Sequence, residues 1–312
     1  MQFAHATATR AHSRPALRAV GRGRPRSPGG ILLRACRPRQ WLKNLLVVLA
    51  PAAAGVLTRP GVMAEAACAF ASFCLLSSAT YLVNDVRDRE QDRHHPRKRF
   101  RPVAAGELAP RGAVRLATVI AVLGLALAVA VRPMLGLVAI GYLTLTTSYS
   151  ICWRRVVVAD VVVVAGGFVV RAVGGGVATG IALSYSFLIV TSACALMIVV
   201  GKRYAELVGS GSRPPSRATL RRYSRRTLRR VLTGSAALGC VAYASWAFAR
   251  PGLGTWRELS IVPFVLWLGR YLRTLGAGGG EAPEELILRD RPLVALSLVW
   301  VALFTGAVYG GA

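Results

Sequence analysis

The sequence predicts an all-α, polytopic membrane protein of about nine transmembrane helices, with its N-terminus in the cytosol. Three observations carry this. Apolar stretches of roughly 20 residues, the length that crosses a bilayer core, recur along the 312-residue chain. Apolar residues make up 54% of it and charged residues 17%, against about 45–50% and about 25% in a soluble domain. The charges fall between the apolar stretches, which excludes an ordinary soluble enzyme and a disordered chain alike. A net charge of +27, from 40 Lys and Arg against 13 Asp and Glu, would suit nucleic acid by itself. The apolar runs exclude that partner.

The nine spans are read at 41–58, 62–83, 113–131, 134–152, 157–178, 181–200, 231–249, 258–275 and 293–311. Gly and Pro occur in several of them, as membrane helices allow. Residues 1–30 are rich in Arg, Pro, Ala and Gly and hold no run resembling a signal peptide. They are expected to be a disordered basic tail, and residues 31–312 a single transmembrane catalytic domain. With the N-terminus inside, segments 1–43, 84–112, 153–155, 201–230 and 270–291 hold 10, 8, 2, 10 and 4 Lys and Arg. The outer turns hold only Arg59, Arg132, Arg250 and Arg257. This asymmetry sets the orientation by the positive-inside rule. All five Asp residues lie on or near the cytosolic side, so the chemistry is expected at that mouth. Five of the six cysteines lie in or beside apolar stretches and none forms a CxxC pair. They read as small buried hydrophobes, not as disulfides or zinc ligands.

The loop after the second span opens Asn84-Asp85-Val86-Arg87-Asp88-Arg89-Glu90-Gln91-Asp92. On a helix continuing out of the membrane, Asp85, Asp88 and Asp92 share one face. Three carboxylates so placed repel each other, and a hard divalent cation removes that repulsion. Oxygen ligands alone fit Mg²⁺, which joins a few carboxylates to substrate phosphates. Asn84 adds a neutral oxygen or amide. Downstream, Arg93, Arg97, Lys98, Arg99 and Arg101 can hold phosphate oxygens. His94 and His95 read as exposed residues rather than ligands.

These residues resemble the first Asp-rich motif, NDxxDxxxD, of the UbiA superfamily of intramembrane prenyltransferases. Four further segments bring the chain nearer to that superfamily's decaprenyl-phosphate phosphoribosyltransferases. They are Arg37-Pro38-Arg39-Gln40-Trp41-Leu42-Lys43-Asn44; Lys98-Arg99 with Arg101-Pro102-Val103-Ala104-Ala105-Gly106; Tyr149-Ser150 through Asp160 to Gly167-Phe168-Val169-Val170-Arg171-Ala172; and Gly201-Lys202-Arg203 with Ala205-Glu206-Leu207. Arg154 stands where the pattern has Lys, and Val157 where it has Pro. The resemblance implies a UbiA-like bundle in a bacterial plasma membrane, with the site facing the cytosol. It implies transfer of 5-phosphoribosyl from phosphoribosyl diphosphate to a polyprenyl phosphate, in the making of cell-envelope precursors. Mg²⁺ on Asp85, Asp88 and Asp92 would be the cofactor. Assembly with further copies of the chain stays open.

The residues weigh between the superfamily's chemistries. Aromatic prenyltransferases carry a second Asp-rich motif after the sixth span. Here that loop begins Lys202-Arg203-Tyr204-Ala205-Glu206, with one acid and many Arg, and looks built for anions. Two phosphorylated substrates explain the basic excess; an aromatic acceptor would not need it. Prenyl transfer from a prenyl diphosphate to an aromatic ring is the alternative. A transporter is a third reading, but it would place ionisable residues along a path at the midplane. Lys43, Arg154, Lys202 and Arg203 are further candidates to hold phosphates. Asp160, charged at membrane depth, is a functional candidate that could orient ribose hydroxyls, bind metal or pair with Arg154. Arg171 is read as structural, snorkelling outward. Glu206 is a substrate-binding candidate whose simpler reading is a helix-surface pair with Lys202. Gly174-Gly175-Gly176 reads as a close helix contact, and Glu281 to Arg291 as a solvated loop.

Overall fold

A computed structural model describes residues 27–153, 156–209, 218–249, 255–276 and 283–310. Among them all regular structure is helical. The α-helices are α1 (Pro28–Cys36), α2 (Leu46–Ala53), α3 (Pro60–Arg87), α4 (Arg89–Arg93), α5 (Pro110–Val131), α6 (Pro133–Ile151) and α7 (Ala159–Thr179). They continue as α8 (Tyr185–Gly209), α9 (Arg225–Phe248), α10 (Trp256–Leu259), α11 (Ile261–Gly276), α12 (Pro283–Arg289) and α13 (Arg291–Tyr309). Short 3₁₀ segments cover Pro38–Leu45, Lys98–Phe100 and Ala218–Arg222.

The punctuation is chemical. Proline opens α1, α3, α5 and α6, where its missing N–H is no loss. Arg132, the only residue between α5 and α6, is extended (φ −162°, ψ 132°), as the following Pro133 favours. Side-chain oxygens of Ser27, Ser224 and Asp290 cap α1, α9 and α13.

Among the described residues seven helices are long and apolar enough to cross a membrane: α3, α5, α6, α7, α8, α9 and α13. They match seven of the nine expected spans. The other two are built differently. The stretch 41–58 is a 3₁₀ segment followed by the eight-residue α2, with Pro51 inside it. The stretch 258–275 is broken at Ser260 between α10 and α11, with Pro263 near the start of α11. At 1.5 Å per residue, the 16 residues of α11 reach about 24 Å against a core of about 30 Å. Helix α1 begins at Pro28, inside the stretch expected to be a tail. The expected loop before the last span is also corrected: residues 283–289 form α12, and Asp290 at its end caps α13 and pairs with Arg270.

Helices α3 and α7 are the most enclosed of the seven and α13 the most open. Helix α7 touches α2, α3, α6 and α8, and α3 packs mainly on α5. A second group, α8, α9, α11 and α13, closes round an apolar core to which α7 also contributes, through Val161 and Ala165. The contact of α2 with α7 is backbone to backbone. A Cβ on Gly175 would lie 1.8 Å from the carbonyl oxygen of Val47. That carbonyl is one turn before Pro51, which has no N–H to give it. The glycine run therefore serves close packing, as its small residues suggest.

Candidate functional site

The charged helix ends gather at one end of the bundle, its mouth. Arg87, at the end of α3, donates to the carbonyls of Ser150 and Ile151 at the end of α6. Tyr149 on α6 donates to Asp160 Oδ1 at 2.5 Å, and Arg203 on α8 reaches both Asp160 oxygens at 2.7 and 3.0 Å. The Val158 N–H, before α7, donates to the Tyr223 hydroxyl at 2.8 Å.

The Asp-rich segment does not run as one helix. Helix α3 ends at Arg87, Asp88 takes a non-helical conformation (φ −88°, ψ 3°), and α4 starts at Arg89. The expected single face is thus corrected. The bend at Asp88 brings Asp85 and Asp92 together. They are 2% and 3% exposed, and Arg101 Nη1 bridges Asp85 Oδ1 at 3.2 Å and Asp92 Oδ2 at 2.6 Å. Arg37 also donates to Asp85 Oδ1. Its backbone is left-handed (φ 54°, ψ 62°) between α1 and the 3₁₀ segment, and its guanidinium lies over the Tyr81 ring. Burial lowers the Arg37 pKa from its ordinary value; Asp85 opposes the shift and Arg101 adds to it. An arginine so placed stays charged.

A cavity of about 350 Å³ opens here, lined by Arg34, Arg37, Asp85, Arg97, Phe100, Arg101 and Pro102. Arg34 is held by Glu107 at 2.8 Å and by the Phe100 carbonyl at 2.7 Å. The donor chemistry fits a hard divalent cation, since two buried carboxylates converge on one point already occupied by a cationic nitrogen. Among the described residues no three His, Cys, Asp or Glu side chains could hold an ion by themselves. Substrate oxygens would complete such a shell.

The other expected residues are placed as follows. Asn84 is half-buried in the last turn of α3, and Asp88 sits at the bend. Lys98 and Arg99 lie in the 3₁₀ turn beside the cavity, with Arg99 over the Phe100 ring. Lys43 is half-buried before α2, and Lys202 near the end of α8. Glu206 lies 3.4 Å from Arg203. Asp160 is fully buried and is held by Arg203 and Tyr149. Arg154 lies outside the described residues. His94 and His95 are exposed, as expected.

Arg171 corrects the sequence reading. It does not snorkel: it is 6% exposed and donates to Asn44 Oδ1, the Gly167 carbonyl and the Tyr142 hydroxyl, each at 2.7 Å. Asn44 donates in turn to Cys74 Sγ and Ser77 Oγ. The arginines Arg34 and Arg37 were not among the candidates. The sequence held one signal for them, two cations three residues apart just ahead of the first apolar stretch.

The described helices form a membrane bundle with Asp85 and four arginines round a cavity at one end, and comparison with known proteins places such a bundle among integral-membrane transferases. The chain belongs to the UbiA prenyltransferase family, whose model matches residues 46–208. It is 42% identical to a decaprenyl-phosphate phosphoribosyltransferase of Mycobacterium tuberculosis, over 90% of this chain and 95% of that one. A protein of the same name from Corynebacterium glutamicum is 39% identical, over 91% and 89%. The fold resembles a UbiA homologue of Archaeoglobus fulgidus solved with GPP and Mg²⁺, at a TM-score of 0.69 and 17% identity, covering 90% of this chain and 99% of that one.

Proposed function

We propose that the protein transfers 5-phosphoribosyl from phosphoribosyl diphosphate to decaprenyl phosphate or a related polyprenyl phosphate, releasing diphosphate. The observation that carries this is the 42% identity to an enzyme of that name along nearly the whole chain. The geometry supports it, because the mouth combines a carboxylate pair with four arginines round one cavity. Residues 31–312 act as one catalytic unit, and the mouth faces the cytosol, where 34 of the 40 basic residues are expected.

Asp85 and Asp92 would hold Mg²⁺ together with substrate oxygens; Asp88, at the bend, does not join them in a three-carboxylate group, which corrects its place in the expected ligand set. Bound there, the cation would neutralise charge on the departing diphosphate. Arg37 and Arg101 hold phosphate oxygens beside it, with Lys98, Arg99 and Asn84 at the rim. Lys43, Arg154 and Lys202 are left to receive the lipid phosphate. In the step itself the C1–O bond to diphosphate breaks and its electron pair leaves with diphosphate. A lipid phosphate oxygen forms the new C1–O bond from the opposite face, inverting C1. That oxygen is already anionic, so no general base is needed. Asp160 and Glu206 position Arg203 and do not meet the substrate.

The test is transfer of label from phosphoribosyl diphosphate to polyprenyl phosphate, by purified protein in detergent with Mg²⁺. Label should enter the lipid fraction and fall at least about 100-fold in Asp85→Asn, Asp92→Asn and on chelation. Failure of transfer, with prenyl diphosphate consumed once an aromatic acceptor is supplied, would overturn the reading.

A further inference from the structure

The four arginines that line the cavity at the mouth fall into two pairs by their partners. Arg37 and Arg101 sit on Asp85, and through Arg101 on Asp92. Arg34 and Arg97 line the same cavity, with Phe100, and neither is paired with those carboxylates. Asp85 is the one acidic residue among those that line the cavity; Glu107, which orients Arg34, is not among them. Two N–H groups of Arg34 go to Glu107 and the Phe100 carbonyl, which leaves about three of its five for a ligand. The Arg97 guanidinium makes no hydrogen bond or ion pair with another described residue; only its backbone N–H does, to His95 Nδ1.

We infer that Arg34 and Arg97 bind the 5-phosphate of the sugar donor and so select a phosphorylated pentose. This rests on reading the donor as phosphoribosyl diphosphate. Such a donor has anionic groups on two sides of the ribose, and they ask for different surroundings. The diphosphate arrives with a divalent cation and needs carboxylates to anchor it. The monophosphate brings none, so a carboxylate would repel it and arginines suit it. The two pairs of arginines divide in the same way, one bound to carboxylate and one not. Its volume of about 350 Å³ falls within the roughly 300–1,000 Å³ of small-molecule sites. A prenyl diphosphate has one anionic group, and the second pair of arginines would then face a hydrocarbon chain.

The experiment compares kcat/KM for phosphoribosyl diphosphate and for ribosyl 1-diphosphate, the same donor without its 5-phosphate. It uses the full-length protein in detergent, with Mg²⁺ and decaprenyl phosphate. Native protein should prefer the phosphorylated donor. Arg97→Gln should lower kcat/KM for that donor about tenfold, mainly through KM, and so narrow the preference. Arg34→Gln should do the same, and the double variant should bring the two donors close to parity. Ribose 5-phosphate should compete with the donor in the native protein and about tenfold less well in Arg97→Gln. Arg97→Lys should restore part of the loss. The Arg97 side chain supports no other described residue, so this variant reports on the ligand even if Arg34→Gln folds poorly. Equal losses for both donors, or an unchanged preference, would overturn the inference while transfer by the native protein kept the donor reading intact. Failure of the native protein to use either sugar would overturn both.

Discussion

Two arginines are deeply buried among the described residues, and they are satisfied in opposite ways. Arg203, near the mouth and 3% exposed, is locked to a carboxylate, that of Asp160. Arg171, three turns along α7 from Asp160, is held by an amide oxygen, a backbone carbonyl and a phenol, with its guanidinium also over the Tyr142 ring. Among the described residues it has no carboxylate partner. The difference teaches how charge is carried at two depths. Removing one member of an ion pair strands the other as a buried charge. Removing a cation from neutral acceptors strands only dipoles.

The first way to break the comparison is therefore Arg203→Leu. It leaves Asp160 charged and buried and should cost about 3–5 kcal/mol. The double variant Arg203→Leu with Asp160→Leu should recover much of that, and denaturant unfolding in detergent measures both. If the double variant were as unstable as the single, the pair would not be the unit of stability. Next comes Arg171→Met, expected to cost about 1–3 kcal/mol, with no comparable rescue from a change at Asn44. Gly175→Ala tests the same helix without touching charge. The new methyl would meet backbone and cannot be relieved by turning a side chain, so about 1–3 kcal/mol should be lost. The smallest effect belongs to a partly buried counterpart, Arg270 with Asp290. The Arg270 guanidinium holds the Asp290 carboxyl below the usual carboxylate range. The contribution of that pair is complete above the ordinary Asp pKa of about 3.9 and fades as pH falls through the lower folded value. Melting curves of native protein and Asp290→Asn should differ by a small, constant amount at neutral pH and converge below about pH 4.

The helical membrane class, seven of the spans and the gathering of charge at one mouth could all be read from the sequence. Apolar length and charge segregation are properties of the chain itself. Asp85 and Asp92 were legible because their spacing is local. The bend at Asp88 was not, since helix spacing assumes a straight axis. The two irregular spans escaped for a related reason: hydropathy counts apolar residues and does not register where Pro51 or Pro263 withdraws a backbone N–H. Arg171 was misread because its partners, Asn44 and Tyr142, are distant in sequence. A single intramembrane arginine looks the same whether it turns outward or inward. Arg34 and Arg37 were hidden in a basic N-terminal third, where nothing local separates a cation facing a cavity from one facing water.

Pro51 and Gly175 share a consequence. The proline leaves the Val47 carbonyl without its usual donor, and the glycine offers that carbonyl a Cα–H at close range in place of a side chain. Neither choice explains itself alone. Replacing the proline would return a donor to the Val47 carbonyl but leave it just as close to α7, so any side chain at the glycine would still require α2 to move away. The seam between α2 and α7 is thus a place where the history of one residue is written in another.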